Sequence, residues 1–152
     1  MRRTLVATLL ATVVAVGIAA QAQGSVSTTN RLQGSFVRDS NSSISFGVDL
    51  NRRGEPVSFT KVRYANVNLQ CTDGSVVEIS GSEDGRNLTP QDGHMLLVTG
   101  HASETEGVNF NAFVNKAGTK AHGWLYAYQD GQRCTTGATP ADRDNTFKLT
   151  AK

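Results

Sequence analysis

The 152-residue chain carries 15 Lys+Arg against 13 Asp+Glu, and the basic surplus lies in its first 22 residues, where Arg2 and Arg3 stand and no acid does. The remainder has 13 of each, a balance that excludes an electrostatic footprint for nucleic acid or anionic lipid, since both need clustered positive charge. Its tightest basic runs, Asn51-Arg52-Arg53 and Lys61-x-Arg63, are ordinary solvated positions, and its roughly 130 residues suit one domain with a single core.

Residues 1–22 have the three parts of an export signal. Arg2 and Arg3 form a short basic start, Leu5–Ala20 is uncharged and apolar, and Ala20-Gln21-Ala22 is a small-x-small cleavage site. The apolar run falls short of the ~20 residues a spanning helix needs, and no cysteine follows it for lipid attachment. The expectation is general secretion with cleavage after Ala22, an extracellular product, and no membrane span in what remains. The polar stretch 23–30 is expected to be frayed, with a single domain over 31–152.

No stretch after residue 23 shows helical periodicity. Short alternations broken by Gly, Asn, Asp and Ser recur instead, which is the all-β pattern. The first predicted strand is Leu32–Val37. The next is Ser43–Leu50, where Ile44, Phe46, Val48 and Leu50 alternate with small or polar residues. The turn Asn51–Pro56 follows, with Gly54 suited to positive φ. A longer strand is expected over Phe59–Cys71, with a parity change near Ala65-Asn66 that marks a bulge. Further strands are predicted at Ser75–Ile79, His94–Thr99, Val108–Val114, Thr119–Tyr128 and Phe147–Ala151. Ser80–Gly93 and Thr135–Asn145 read as loops. The fold expected from this series is an antiparallel β-sandwich of jelly-roll or immunoglobulin-like type, and a monomer.

The two cysteines, Cys71 and Cys134, lie in a chain read as exported, so one disulfide is the default. A metal site or a reactive thiol are the competing readings. Neither cysteine has a second cysteine or a histidine at ligand spacing.

Gly34-x-Phe36, Ile44-x-Phe46, Val62-x-Tyr64, Cys71-Thr72-Asp73-Gly74, Gly123-x-Leu125, Cys134-x-x-Gly137 and Phe147-x-Leu149-x-Ala151 together resemble the small, largely uncharacterised secreted β-sandwich proteins of actinobacterial type. Members often carry Trp near the final strand, where this chain has Phe147. The resemblance implies export, a β-sandwich and a Cys71–Cys134 bridge, and it brings no activity.

The residues supply little for catalysis. His94, His101 and His122 form no His-x-His or His-x-x-x-His pair and read as solvated loop residues, so no metal and no cofactor is expected. Glu83, Asp84, Glu104, Glu106, Asp142 and Asp144 fall in predicted loops as solubilising charges. A glycoside hydrolase would need two of them to converge. No Gly-x-Ser-x-Gly elbow or Cys/His pair occurs. Asp39-x-Asn41-x-Ser43 lacks the glycine and distal glutamate of a calcium loop and reads as a polar turn. Two sequons, Asn41-Ser42-Ser43 and Asn87-Leu88-Thr89, matter only in a glycosylating host.

One pattern points to binding. Trp124, Tyr126 and Tyr128 alternate along one strand, in phase with His122, and flat aromatics with polar edges suit a sugar ring or a protein partner. Such a stripe is more often core, so register decides. With Asn115–Gly118 as the whole hairpin loop, Val114 pairs with Thr119 and Phe110 lies opposite Gly123. Asn109 and Asn111 then share the aromatic face, away from Leu125. A three-residue loop would bury the aromatics. The first register separates apolar from polar residues more cleanly. The reading is a secreted, non-enzymatic binding or envelope-associated module for an extracellular glycan or protein. A secreted hydrolase using loop carboxylates and an inhibitor of extracellular enzymes are the alternatives.

Overall fold

A computed structural model describes residues 28–85, 88–137 and 146–152. The leader, the cleavage site, Asp142 and Asp144 lie outside the described residues. Those described form eleven strands, all paired antiparallel: β1 (Thr28–Phe36), β2 (Ser43–Leu50), β3 (Pro56–Phe59), β4 (Val62–Cys71), β5 (Val76–Glu83), β6 (Thr89–Gln91), β7 (His94–Ala102), β8 (Gly107–Val114), β9 (Lys120–Gln129), β10 (Cys134–Thr135) and β11 (Thr146–Ala151). No helix among them is long and apolar enough to cross a membrane.

The hydrogen-bonded order runs β10-β4-β2-β1-β11-β9-β8-β7-β6, and β10 also pairs with β9. The sheet therefore closes on itself, with β10 joining β4 on one side to β9 on the other. Beyond that ring, β5 extends from β4, β3 from β2, and β8, β7 and β6 from β9.

The disulfide forms between Cys71 and Cys134, directly opposed residues of β4 and β10 with Cα atoms 3.9 Å apart. It fastens the closure point, where β10 contributes only two ladder residues. Thr136 reinforces it on the other side: its hydroxyl accepts from the Ala127 N–H at 3.1 Å.

The strand interiors explain themselves through parity. Ile44, Phe46, Val48 and Leu50 all point inward, and so do Leu97, Val108, Phe110, Ala112, Leu125 and Ala127. Phe110 stacks on Phe147 at 5.0 Å and meets Phe46 edge-on at 5.9 Å, so β2, β8 and β11 share one aromatic centre. The bulge predicted near Ala65-Asn66 is present, with a register shift between Tyr64 and Val67 and Asn66 at positive φ. Gly54 has the expected positive φ. The Asp39–Ser43 segment is a polar turn, in which Asp39 Oδ1 accepts from the Asn41 N–H at 3.1 Å.

Several expectations are corrected. Thr28–Asn30, expected to fray, pair with Val48–Leu50 of β2. The predicted strand Phe59–Cys71 is two strands: the Thr60 N–H still donates to the Gly47 carbonyl at 2.8 Å, but the Gly47 N–H is accepted by the Thr60 hydroxyl in place of its carbonyl, at 2.8 Å. The predicted loop Ser80–Gly93 contains the end of β5 and all of β6. The loop predicted from Thr135 begins inside β10.

Candidate functional site

The aromatic strand takes its position from the hairpin that precedes it. Asn115 closes the turn: its N–H donates to the Lys120 carbonyl at 3.0 Å, and its Oδ1 accepts from the N–H groups of Thr119 and Lys120 at 2.8 and 3.0 Å. Gly118 takes φ +63°, as a left-handed loop position requires. The loop is thus Lys116–Thr119, and Val114 pairs with Ala121 rather than Thr119. The register is two residues from the expected one, Phe110 faces Leu125, and Gly123 faces Ala112. A slip of two preserves side-chain parity. Trp124, Tyr126 and Tyr128 therefore lie on the face away from Leu125, as expected, at either register.

Leu125 is 0% exposed, whereas Trp124, Tyr126 and Tyr128 are half-buried and His122 is exposed. Across β8, Trp124 lies opposite Asn111, Tyr126 opposite Asn109 and Tyr128 opposite Gly107. A Cβ on Gly107 would collide with the Tyr128 ring, so the glycine lets that ring lie flat on the sheet. The Tyr128 hydroxyl donates to the Ser103 carbonyl at 2.7 Å, which fixes the ring at the β7–β8 turn. Tyr126 and Tyr128 have centroids 6.2 Å apart.

Asn111 Nδ2 donates to Asn109 Oδ1 at 3.0 Å. Asn109 Nδ2 and Asn111 Oδ1 have no further partner among the described residues, so the pair offers one donor group and one acceptor beside the rings. The Trp124 indole N–H likewise has no hydrogen bond among them.

The face is wider than the sequence reading made it. Phe113 stacks on His122 at 5.6 Å, and His94 meets both rings edge-on. Phe113 shares parity with Asn109 and Asn111, so strict alternation along β8 would have placed it there. From β7, Leu96 lies opposite Phe113 and Val98 opposite Asn111, and Val98 is 49% exposed. Nothing in β7 alone marks these as neighbours of the aromatic strand.

The acids and His101 depart from expectation. His94 and His122 stand on β7 and β9, within the strands predicted there, and His101 lies on β7 past the predicted end at Thr99. Glu83 ends β5, is 8% exposed, and receives a hydrogen bond from His101 Nδ1 at 2.8 Å. It is thus a buried, paired carboxylate rather than a solubilising charge. Asp84 pairs with Lys61 at 3.3 Å, and Glu104 and Glu106 are exposed at the β7–β8 turn. Among the described residues two side chains carry shifted pKa values, and neither lies on the aromatic face. Burial, then Glu83, then Glu106 push the Tyr64 hydroxyl above its usual range. Hydrogen bonds from the Ser75 side chain and backbone hold the Asp73 carboxyl below its usual range.

No protein-family model, curated protein or solved structure significantly matches this chain.

Proposed function

We propose that this protein is a secreted, non-enzymatic module that binds a glycan on the outer face of β7, β8 and β9. The observation that carries the reading is the outward line Trp124-Tyr126-Tyr128, set beside an Asn109–Asn111 pair with hydrogen-bonding groups to spare. Alternate residues of a strand stand roughly 6.5–7 Å apart, so the rings form a row of flat apolar surfaces, and a sugar presents apolar C–H faces with hydroxyls at its rim. The amides match the rim and the rings match the faces. A protein partner would want an apolar patch centre, and here the amides sit mid-face.

Export by the leader, kinship with the small actinobacterial secreted proteins, and action as a monomer belong to the proposal. So does a flattened, sandwich-like form for the closed sheet, which the edge-on contact of Phe46 with Phe110 across the interior supports. Co-sedimentation with insoluble cellulose, chitin and peptidoglycan tests the function. At least one should retain the protein, and Trp124→Ala should weaken retention about tenfold, the scale of an interface hot spot. Retention by none of the three, or equal retention of the variant, would overturn the reading.

A further inference from the structure

At one end of the molecule, β5 and β7 approach without sharing a ladder. They are tied by Glu83 to His101 at 2.8 Å, and by the Thr99 hydroxyl donating to the Asp84 carbonyl at 3.2 Å. Beside this tie lies a cavity of about 210 Å³ whose lining includes Tyr64, Ser80, His101, Glu106, Tyr128 and Gln129.

Tyr64 is the informative residue. It is 7% exposed, and its hydroxyl has no hydrogen-bond partner among the described residues. The hydroxyl opens onto the cavity, so its partner comes from there, as water or as a guest. The ring lies over Gly81, where a Cβ would meet the hydroxyl, so the sequence keeps room for Tyr64 to reach this place.

The cavity also has a definite sign. Burial first, and then Glu83 and Glu106, raise the Tyr64 pKa, so two carboxylates lie near enough to act on the hydroxyl. Glu83 is occupied by His101. Glu106 is held at the rim by a tight turn: its N–H donates to the Ser103 hydroxyl at 3.0 Å, and its carbonyl accepts from the Ser103 N–H at 2.8 Å. That turn is pinned in turn by Tyr128 through Ser103 and by the Gly131 N–H through Thr105. The backbone that carries the exposed Glu106 side chain is therefore fixed. Among the described residues, no three of His, Cys, Asp and Glu are grouped to hold a metal ion, which favours an organic cation whose N–H groups need acceptors.

We propose that this cavity binds a primary alkylammonium group, from a small free amine or a lysine side chain, donating to the Glu106 carboxylate and the Tyr64 hydroxyl against the Tyr128 ring. Aromatic rings favour such a cation on their faces. The site rests on Tyr64 and Glu106, which the glycan reading does not use; Tyr128 borders both, and Trp124→Ala keeps their failures distinguishable.

The test is a titration of isotope-labelled protein, followed by amide chemical shifts, with n-butylammonium chloride, butan-1-ol and sodium butyrate at one ionic strength. Butylammonium should shift the amides of Gly81, His101, Glu106 and Gln129, and the alcohol and the carboxylate should not. Glu106→Gln should weaken the ammonium about fivefold through loss of the charged acceptor. Tyr64→Phe should weaken it by a smaller factor, and Trp124→Ala should leave it unchanged. Nα-acetyl-lysine methylamide binding as well as butylammonium identifies a side-chain guest, and weaker binding identifies a small free amine. Equal shifts with butanol, no shift with butylammonium up to about 0.1 M, or unchanged affinity in Glu106→Gln and Tyr64→Phe would overturn the proposal.

Discussion

Replacing both cysteines by alanine removes the covalent part of the closure between β4 and β10. The bridge spans a sequence separation of 63 residues, and in the chain-entropy model releasing such a loop costs ~4 kcal/mol of stability. The β10 ladders, the Thr136–Ala127 hydrogen bonds and the Thr72 N–H bond to the Arg133 carbonyl are present with or without the bridge, so none of them offsets its loss. A domain of roughly 125 residues melts with an entropy of about 0.26 kcal/mol/K, so the loss corresponds to a drop in Tm of about 15 °C. Calorimetry of the oxidised protein and of the Cys71→Ala/Cys134→Ala variant measures it. Urea unfolding should show a larger m-value in the variant, whose unfolded chain is no longer looped. A Tm difference under about 3 °C would refute the reasoning, because the closure would then hold without its covalent staple.

Gly123→Ala should destabilise by ~2–3 kcal/mol, since the added methyl would run into the backbone carbonyl of Asn111; urea denaturation at constant m-value checks it. Alkaline titration by ultraviolet absorbance should show one of the three tyrosines ionising later than the others, and Tyr64→Phe should remove that late step. The Asp73 carboxyl should titrate below its ordinary value by NMR and move back up in Ser75→Ala. Because the folded-state value is depressed, its contribution is present above the unfolded pKa and is lost as pH falls through the folded one.

The elements that could be read from sequence are those with one face buried. Ser43–Leu50 was legible end to end, because Ile44, Phe46, Val48 and Leu50 alternate without interruption. The break between β3 and β4 was not, since the Thr60 hydroxyl takes the place of its carbonyl toward Gly47 and no Gly or Pro announces it. β6 escaped because Pro90 in a three-residue run argues against a strand, and a short edge strand is where a proline is tolerated. β10 is two residues long and owes its place to β4 and β9, both distant in sequence from one another.

The site divides the same way. The exposure of Trp124 and Tyr126 followed from parity, and so was insensitive to the two-residue error in hairpin register. Val98 joins the face only through the β7–β8 ladder, and Glu83 meets His101 only across a gap between strands that share no ladder. Such encounters leave no local pattern.

Trp124 is the protein's only tryptophan, so its fluorescence reports on the proposed face alone. In the free protein, acrylamide should quench it, as a half-buried indole on the outer face of β9 requires. Adding a soluble oligosaccharide of whichever polysaccharide retains the protein should shield the indole and reduce that quenching at saturation. Blue-shifted emission that acrylamide cannot reach, or quenching unchanged with the oligosaccharide bound, would contradict a glycan-binding role for this face.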